Sequence, residues 1–114
     1  MHMHAWTWLL QRISAVILLV ALGWHIALLH FSNGGAPLSY NDILTRLKTP
    51  ALLSLDVLLL IFGLYHACYG LYSVFLDFDS TTKQRVVVLV LLIAIGLGFA
   101  GFGVFGLVSI VFSS

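Results

Sequence analysis

From Val86 to Phe112 the chain runs for 27 residues without one ionisable side chain. About 20 such residues span the ~30 Å of bilayer hydrocarbon as an α-helix. In that medium a helix is one of only two structures that satisfy every backbone N–H and C=O. Two further apolar runs, from about Trp8 to Phe31 and from about Ala51 to Leu76, are long enough to do the same. Three transmembrane helices, over about 8–31, 51–76 and 86–112, therefore organise the 114 residues as a single membrane domain. Only 8% of the chain is charged, against ~25% in a soluble domain, so the fold class is all-α integral membrane. A cleaved leader is the alternative for the first run. Its opening "MHMHAWTWLLQR" has a single arginine, and no A-x-A-like site follows, so the run is expected to remain as a helix.

The connections agree with this division. In "SNGGAPLSYNDILTRLKTP" turn residues flank a short stretch whose Tyr40, Ile43, Leu44 and Leu47 share one side, which suits a half-helix lying along the membrane surface. "DFDSTTKQR" is a short, polar hairpin loop. Three spans put the termini on opposite sides. Arg12, Lys83 and Arg85 fall on the side of the amino terminus and Arg46 and Lys48 on the other, so the excess of cations points to a cytoplasmic amino terminus.

Several classes of function drop out on charge and cysteine. A net charge of +1 without a Lys/Arg cluster offers nothing to nucleic acid. The single cysteine, Cys68, excludes an internal disulfide, a C-x-x-C-H haem attachment and an iron–sulfur cluster built from this chain alone, and is expected to pack. Gly96, Gly98 and Gly101 spell G-x-G-x-x-G, but inside an uncharged span with no strand before it the match carries no nucleotide chemistry. With Ala100, Gly103 and Gly106 they offer smooth surfaces where neighbouring helices can approach closely.

Ionisable groups are confined to the first two spans and their ends. A charged group at the bilayer centre costs roughly 2.5 kcal/mol or more, which makes an intramembrane histidine a functional candidate. At 100° per residue Gly63, His66, Gly70, Ser73 and Asp77 fall near one line. An imidazole flanked by missing side chains leaves room for a flat, bulky cofactor coordinated by His66. The competing account is a histidine bonded to a carbonyl or a serine of the next helix, with the glycines there for packing. His25 stands thirteen residues beyond Arg12, roughly 20 Å deeper, whereas His66 is roughly 16 Å from the same surface. Imidazoles at two depths, with no acidic or cysteine ligands for zinc, suit two stacked metal centres; two haems match best. Asp56 and His25 both lie roughly 8 to 9 Å below the far surface, so Asp56 is expected beside His25 or beside propionates of the distal haem, with His30 at the helix end as a balancing charge. A protonated Asp56 bonded to backbone is the alternative.

The pattern of Trp8, Arg12 and Ser14 opening the first helix, "HACYGLYSVFLDF" closing the second and a short loop to an uncharged third resembles the small hydrophobic membrane-anchor subunit of succinate dehydrogenase, respiratory complex II. The resemblance covers nearly the whole chain and is most specific at His66, Gly70 and Asp77. It implies that His66 is an axial haem b ligand and that Asp77 lies by a quinone pocket. "RISAVILLVALGWH" and "SLDVLLLIFGLYH" are similar to the subgroup with two anchor chains and two haems, which implies that His25 ligates the second. Also implied are a second, cytochrome b anchor subunit that completes the helical bundle, an iron–sulfur subunit, a flavoprotein subunit and a prokaryotic plasma membrane. Arg12 and Ser14 join Asp77 as quinone-site candidates, with Arg12 and Asp77 able to pair across the gap between helices. Where ubiquinone-reducing members have a tyrosine after that aspartate this chain has Phe78, which leaves Tyr72 or Tyr69 as the nearest phenols and menaquinone as the expected quinone. Two other readings stay open: a haem-binding membrane cytochrome serving another dehydrogenase, and a cofactor-free structural protein whose histidines bond between helices.

Overall fold

In the computed structural model, which describes residues 5–113, four helices follow one another: α1 (Ala5–Phe31), α2 (Tyr40–Lys48), α3 (Pro50–Leu76) and α4 (Thr82–Ser113). The three long ones, of 27, 27 and 32 residues, are apolar enough to cross a membrane, so the chain is a multi-pass membrane protein. Their ends differ from the hydrophobic boundaries where hydrogen bonding, not hydropathy, sets the terminus. α4 begins at Thr82 rather than at about Val86 because Thr81 and Gln84 cap reciprocally: Gln84 N–H donates to Thr81 Oγ1 (3.2 Å) and Thr81 N–H to Gln84 Oε1 (2.9 Å). That T-x-x-Q box satisfies two of the amides that open the helix. α3 starts with Pro50, whose missing N–H is no loss at the first helical position. α1 reaches back to Ala5, three residues before the expected Trp8.

The half-helix α2 is set by a second box. Ser39 Oγ accepts from Asp42 N–H (3.2 Å), and Ser39 N–H donates to Asp42 Oδ2 (2.8 Å). Before it, Gly34 and Gly35 take φ of +61° and +83° to turn the chain off α1, a region that side chains with a Cβ disfavour. The Ser39 N–H and, also at 2.8 Å, the Ser39 hydroxyl donate to Asp42 Oδ2 and hold that carboxyl below its ordinary value of 3.8. A lowered folded value means that the bond's contribution is full above the unfolded value and is lost as pH falls through the folded one.

α3 is the centre of the arrangement. α1 packs on one side of it and α4 on the other, and among the described residues no Cα of α1 comes within 8 Å of one in α4. The result is an open layer 51 Å long rather than a closed bundle, with α2 folded against α3 and α4 at one end. The buried residues among those described are Ser14, Ala21, Leu47 and Tyr72, and of these Ser14 alone is fully enclosed. By contrast Leu19 is 76% and Phe102 78% exposed, surface that suits lipid or another protein chain and not water. Of the α4 glycines, Gly96 and Gly103 face α3. A Cβ at Gly96 would lie 3.3 Å from Cys68 Sγ, and one at Gly103 would lie 2.5 Å from Leu60 Cδ2. Gly98, Gly101 and Gly106 have nothing within 4 Å of such a Cβ; Gly106, one turn beyond Gly103, shares its face but opens onto the cleft beside His25.

Ser39→Ala removes the side-chain half of the α2 cap. The expected cost is about 1 kcal/mol, read as roughly five-fold faster hydrogen exchange of the α2 amides with α4 amides unchanged.

Candidate functional site

α1 and α3 are antiparallel, and polar or small residues line their seam from end to end. Gln11 meets Gly70, Ser14 meets His66, Leu18 meets Gly63 and His25 meets Asp56. On α1 these contacts come from Gln11, Ser14, Leu18 and His25, which together with buried Ala21 form one stripe at helical spacing. The eleven residues from Ser14 to His25 and the ten from Asp56 to His66 separate the two imidazoles by roughly 15 Å along the seam, not the ~4 Å in depth that follows from setting Arg12 and Asp77 level, because Ser14, two residues after Arg12, is what meets His66.

At the His66 end, Ser14 is 1% exposed, and its hydroxyl donates to the Gln11 carbonyl at 2.7 Å. A serine has one proton to give. With that proton spent inside its own helix, Ser14 Oγ is the acceptor for His66 Nδ1, 3.0 Å away. The tautomer assigned by this network carries its hydrogen on Nδ1 and leaves Nε2 with a bare lone pair, the form that binds a metal. Gln11 spans the same contact: its Nε2 donates to the His66 carbonyl at 3.2 Å, while its Oε1 is buried without a partner. Gly70 makes this possible, since a Cβ there would lie 3.3 Å from Gln11 Nε2. The clearance on the Gly63–His66–Gly70 line thus faces α1, and an amide fills it at Gly70.

At the other end three elements converge. Arg46 of α2 grips Asp56 of α3 with two parallel bonds, Nη1 to Oδ2 at 3.0 Å and Nη2 to Oδ1 at 2.9 Å. His25 Nδ1 lies 3.1 Å from Asp56 Oδ1 and 3.0 Å from Arg46 Nη2. The Arg46 and Asp56 side chains are 10% and 11% exposed. Arg46, not His30, answers the carboxylate; His30 is exposed at the last turn of α1. The three groups lie at one end of a cleft of about 890 Å³ over α3, walled by Leu18 and Leu22 on one flank and Phe102 and Gly103 on the other.

The remaining residues singled out from sequence are dispersed. Arg12 is exposed, and its guanidinium carbon stands 4.3 Å from the Trp8 ring centroid; among the described residues no ion pair joins it to Asp77. Asp77 closes α3, its N–H donating to the Val74 carbonyl at 3.1 Å, and its side chain is exposed. Tyr72 is buried on a different face, lining with Tyr65 and Tyr69 an apolar cleft between α3 and α4. Arg12, Asp77 and Tyr72 are not brought together within this chain, and Ser14 turns to His66 instead.

Gln11 and Arg46 were not read from sequence as site residues. Gln11 had a visible signal, an amide inside a span on the face of Ser14 and His25. Arg46 had none, since as a boundary cation it could as well have snorkelled outward.

The residues present fit haem. His66 Nε2 is left with its lone pair and its ring is held, the cleft beside His25 falls within the usual 300–1,000 Å³ of a small-molecule site, and Arg46 Nε is a buried donor with no partner among the described residues. The fold and site define a three-span α-helical membrane subunit with a histidine at each of two depths. Residues 1–111 match the family of succinate dehydrogenase/fumarate reductase transmembrane subunits, and the chain belongs to it. It is 38% identical over 78 residues to the succinate dehydrogenase hydrophobic membrane anchor subunit of Rickettsia bellii, covering 68% of this chain and 60% of that one. Over 105 residues it is 26% identical to the succinate dehydrogenase cytochrome b558 subunit of Bacillus subtilis, 88% of this chain and 52% of the other. To the anchor subunit of Archaeoglobus fulgidus it is 27% identical over 78 residues, with 68% and 66% covered. The chain thus spans about half to two thirds of the length of these relatives. No solved structure gives a significant match.

Ser14→Ala leaves His66 Nδ1 without its partner. Interhelical bonds of this kind average ~0.6 kcal/mol in membranes, so the variant should lower the unfolding midpoint in detergent slightly, while Ser14→Thr, which keeps the hydroxyl, should not.

Proposed function

We propose that this chain is the haem b-carrying anchor subunit of a succinate:quinone oxidoreductase, joining succinate oxidation on partner subunits to quinone in the membrane. The observation that carries the reading is the Ser14–His66 contact, in which a buried hydroxyl holds Nδ1–H and leaves Nε2 bare. A second support is the open layer, which leaves one face of α1, α3 and α4 for another anchor chain to complete the bundle.

His66 and His25 would each hold one haem through a ring nitrogen, with a further ligand from the partner cytochrome b subunit. Haem b, when bound, takes up and returns one electron at a time. Ser14 and Asp56 orient the two rings, as groups behind a metal-bound histidine usually do. Gly70 lets α1 come close enough for Gln11 and Ser14 to reach His66. His30, at the end of α1, borders the far-side headgroups. Asp77 and Arg12 stand at the α3 end and α1 start that share the His66 side, where quinone docks against residues from more than one subunit; Tyr72 is screened from them by its burial against α4. Phe78 in place of a tyrosine favours menaquinone. A flavoprotein and an iron–sulfur protein sit on that side, which the distribution of Arg12, Lys83 and Arg85 makes the cytoplasmic face of a prokaryotic plasma membrane.

The Ser14–His66 bond by itself also suits a cofactor-free protein with a histidine stapling two helices. The same variant separates the two readings. In the isolated complex His66→Ala should remove one haem's absorbance from the dithionite-reduced spectrum while succinate oxidation with an artificial acceptor continues. Unchanged haem content would leave the stapling account standing. Asp77→Asn should depress quinone reduction several-fold with both haems retained; native turnover with quinone would reassign Asp77 to closing α3.

A further inference from the structure

We propose that Arg46, carried into the membrane edge by α2, is a positioning residue that makes His25 a ligand through Nε2 by holding Asp56 against its Nδ1. This rests on the reading of His25 as an axial ligand. Asp56 offers only acceptors and Arg46 only donors. His25 Nδ1 lies within hydrogen-bond distance of one of each, 3.1 Å from Asp56 Oδ1 and 3.0 Å from Arg46 Nη2.

Two proton arrangements are compatible with those positions. In one, Nη2–H points at a bare Nδ1 and the ring proton sits on Nε2, so the ring presents a donor to the cleft. In the other, Nδ1–H donates to Oδ1 and Nε2 is bare. Arg46 favours the second. Its two parallel bonds place the carboxylate in the ring's reach, and one Nη2 hydrogen is already engaged with Oδ1 at 2.9 Å. A bond from Nδ1–H to an ionised carboxylate is charge-assisted and stronger than one that a neutral ring accepts from a guanidinium already occupied by Asp56. Arg46 also compensates the charge of Asp56, which at 11% exposure has little water to do so.

The location of Arg46 explains the capping box on α2. Ser39 and Asp42 start the helix seven and four residues before Arg46, and Leu47, 6% exposed, fastens its other end against the spans. A nine-residue helix so held delivers a guanidinium to the Asp56 carboxylate and the His25 ring from outside both spans.

The test is a redox titration of the isolated complex with Arg46→Gln, Arg46→Lys and Asp56→Asn. Loss of a positive charge beside the ligating ring favours the oxidised state, so Arg46→Gln should keep both haem bands and lower the midpoint of one component only. Arg46→Lys should return that midpoint toward the native value, and Asp56→Asn should move the same component upward. Native midpoints in Arg46→Gln, a Lys variant that behaves like Gln, or shifts of the same sign in Arg46→Gln and Asp56→Asn would each overturn the proposal. If Arg46→Gln does not assemble, the Lys and Asn variants decide by the same signs. His25→Ala tests the reading beneath it: loss of one component supports that reading whatever Arg46 does, and retention of both removes His25 as a ligand.

Discussion

The register between α1 and α3 is the constraint from which the rest of the structure follows. Hydrocarbon supplies no hydrogen bonds, so an imidazole, an amide or a carboxylate placed there must find its partner in protein. Gln11 and Ser14 find theirs at His66, and His25 finds its at Asp56. Sliding α3 by one turn would break both ends together. Gly63, between the polar pairs, and Gly70, beyond His66 and against Gln11, allow the approach that closes these bonds; a bulky side chain at either place would push the helices apart.

The same register settles the depth of the two histidines. Each engages a group of the neighbouring helix through Nδ1, which leaves its second nitrogen out of that contact. Those nitrogens can then act on something outside the pair. The two sites differ in polarity. His66 is held by a neutral hydroxyl, whereas His25 is held by a carboxylate gripped by a guanidinium, so two identical prosthetic groups placed there would differ in potential through the charges behind their ligands.

The chain buries little of itself. With α1 and α4 apart and side chains such as Leu19 and Phe102 turned outward, packing within the chain does not produce a core of its own. In a membrane this is affordable, since lipid tails accept apolar side chains as readily as protein does. It also leaves an open face of the layer on which another subunit can dock without first displacing anything from this one.

Three spans, their order and the amphipathic character of residues 40–47 were legible because length and hydropathy are properties of each segment by itself. So was the levelness of His25 with Asp56, which needs only a rise of 1.5 Å per residue and a common membrane surface. The Thr81 and Gln84 box could have been read as well, being local. Three facts were decided only by the tertiary structure: that the Gly63–His66–Gly70 stripe faces α1 and not an open groove, that Ser14 serves His66, and that Arg46 rather than His30 meets Asp56. Each depends on how a helix is rotated about its axis against another segment distant in sequence. Apolar residues surround every span almost evenly, so the sequence carries no strong preference for one rotation. Only the few polar contacts across the seam select it.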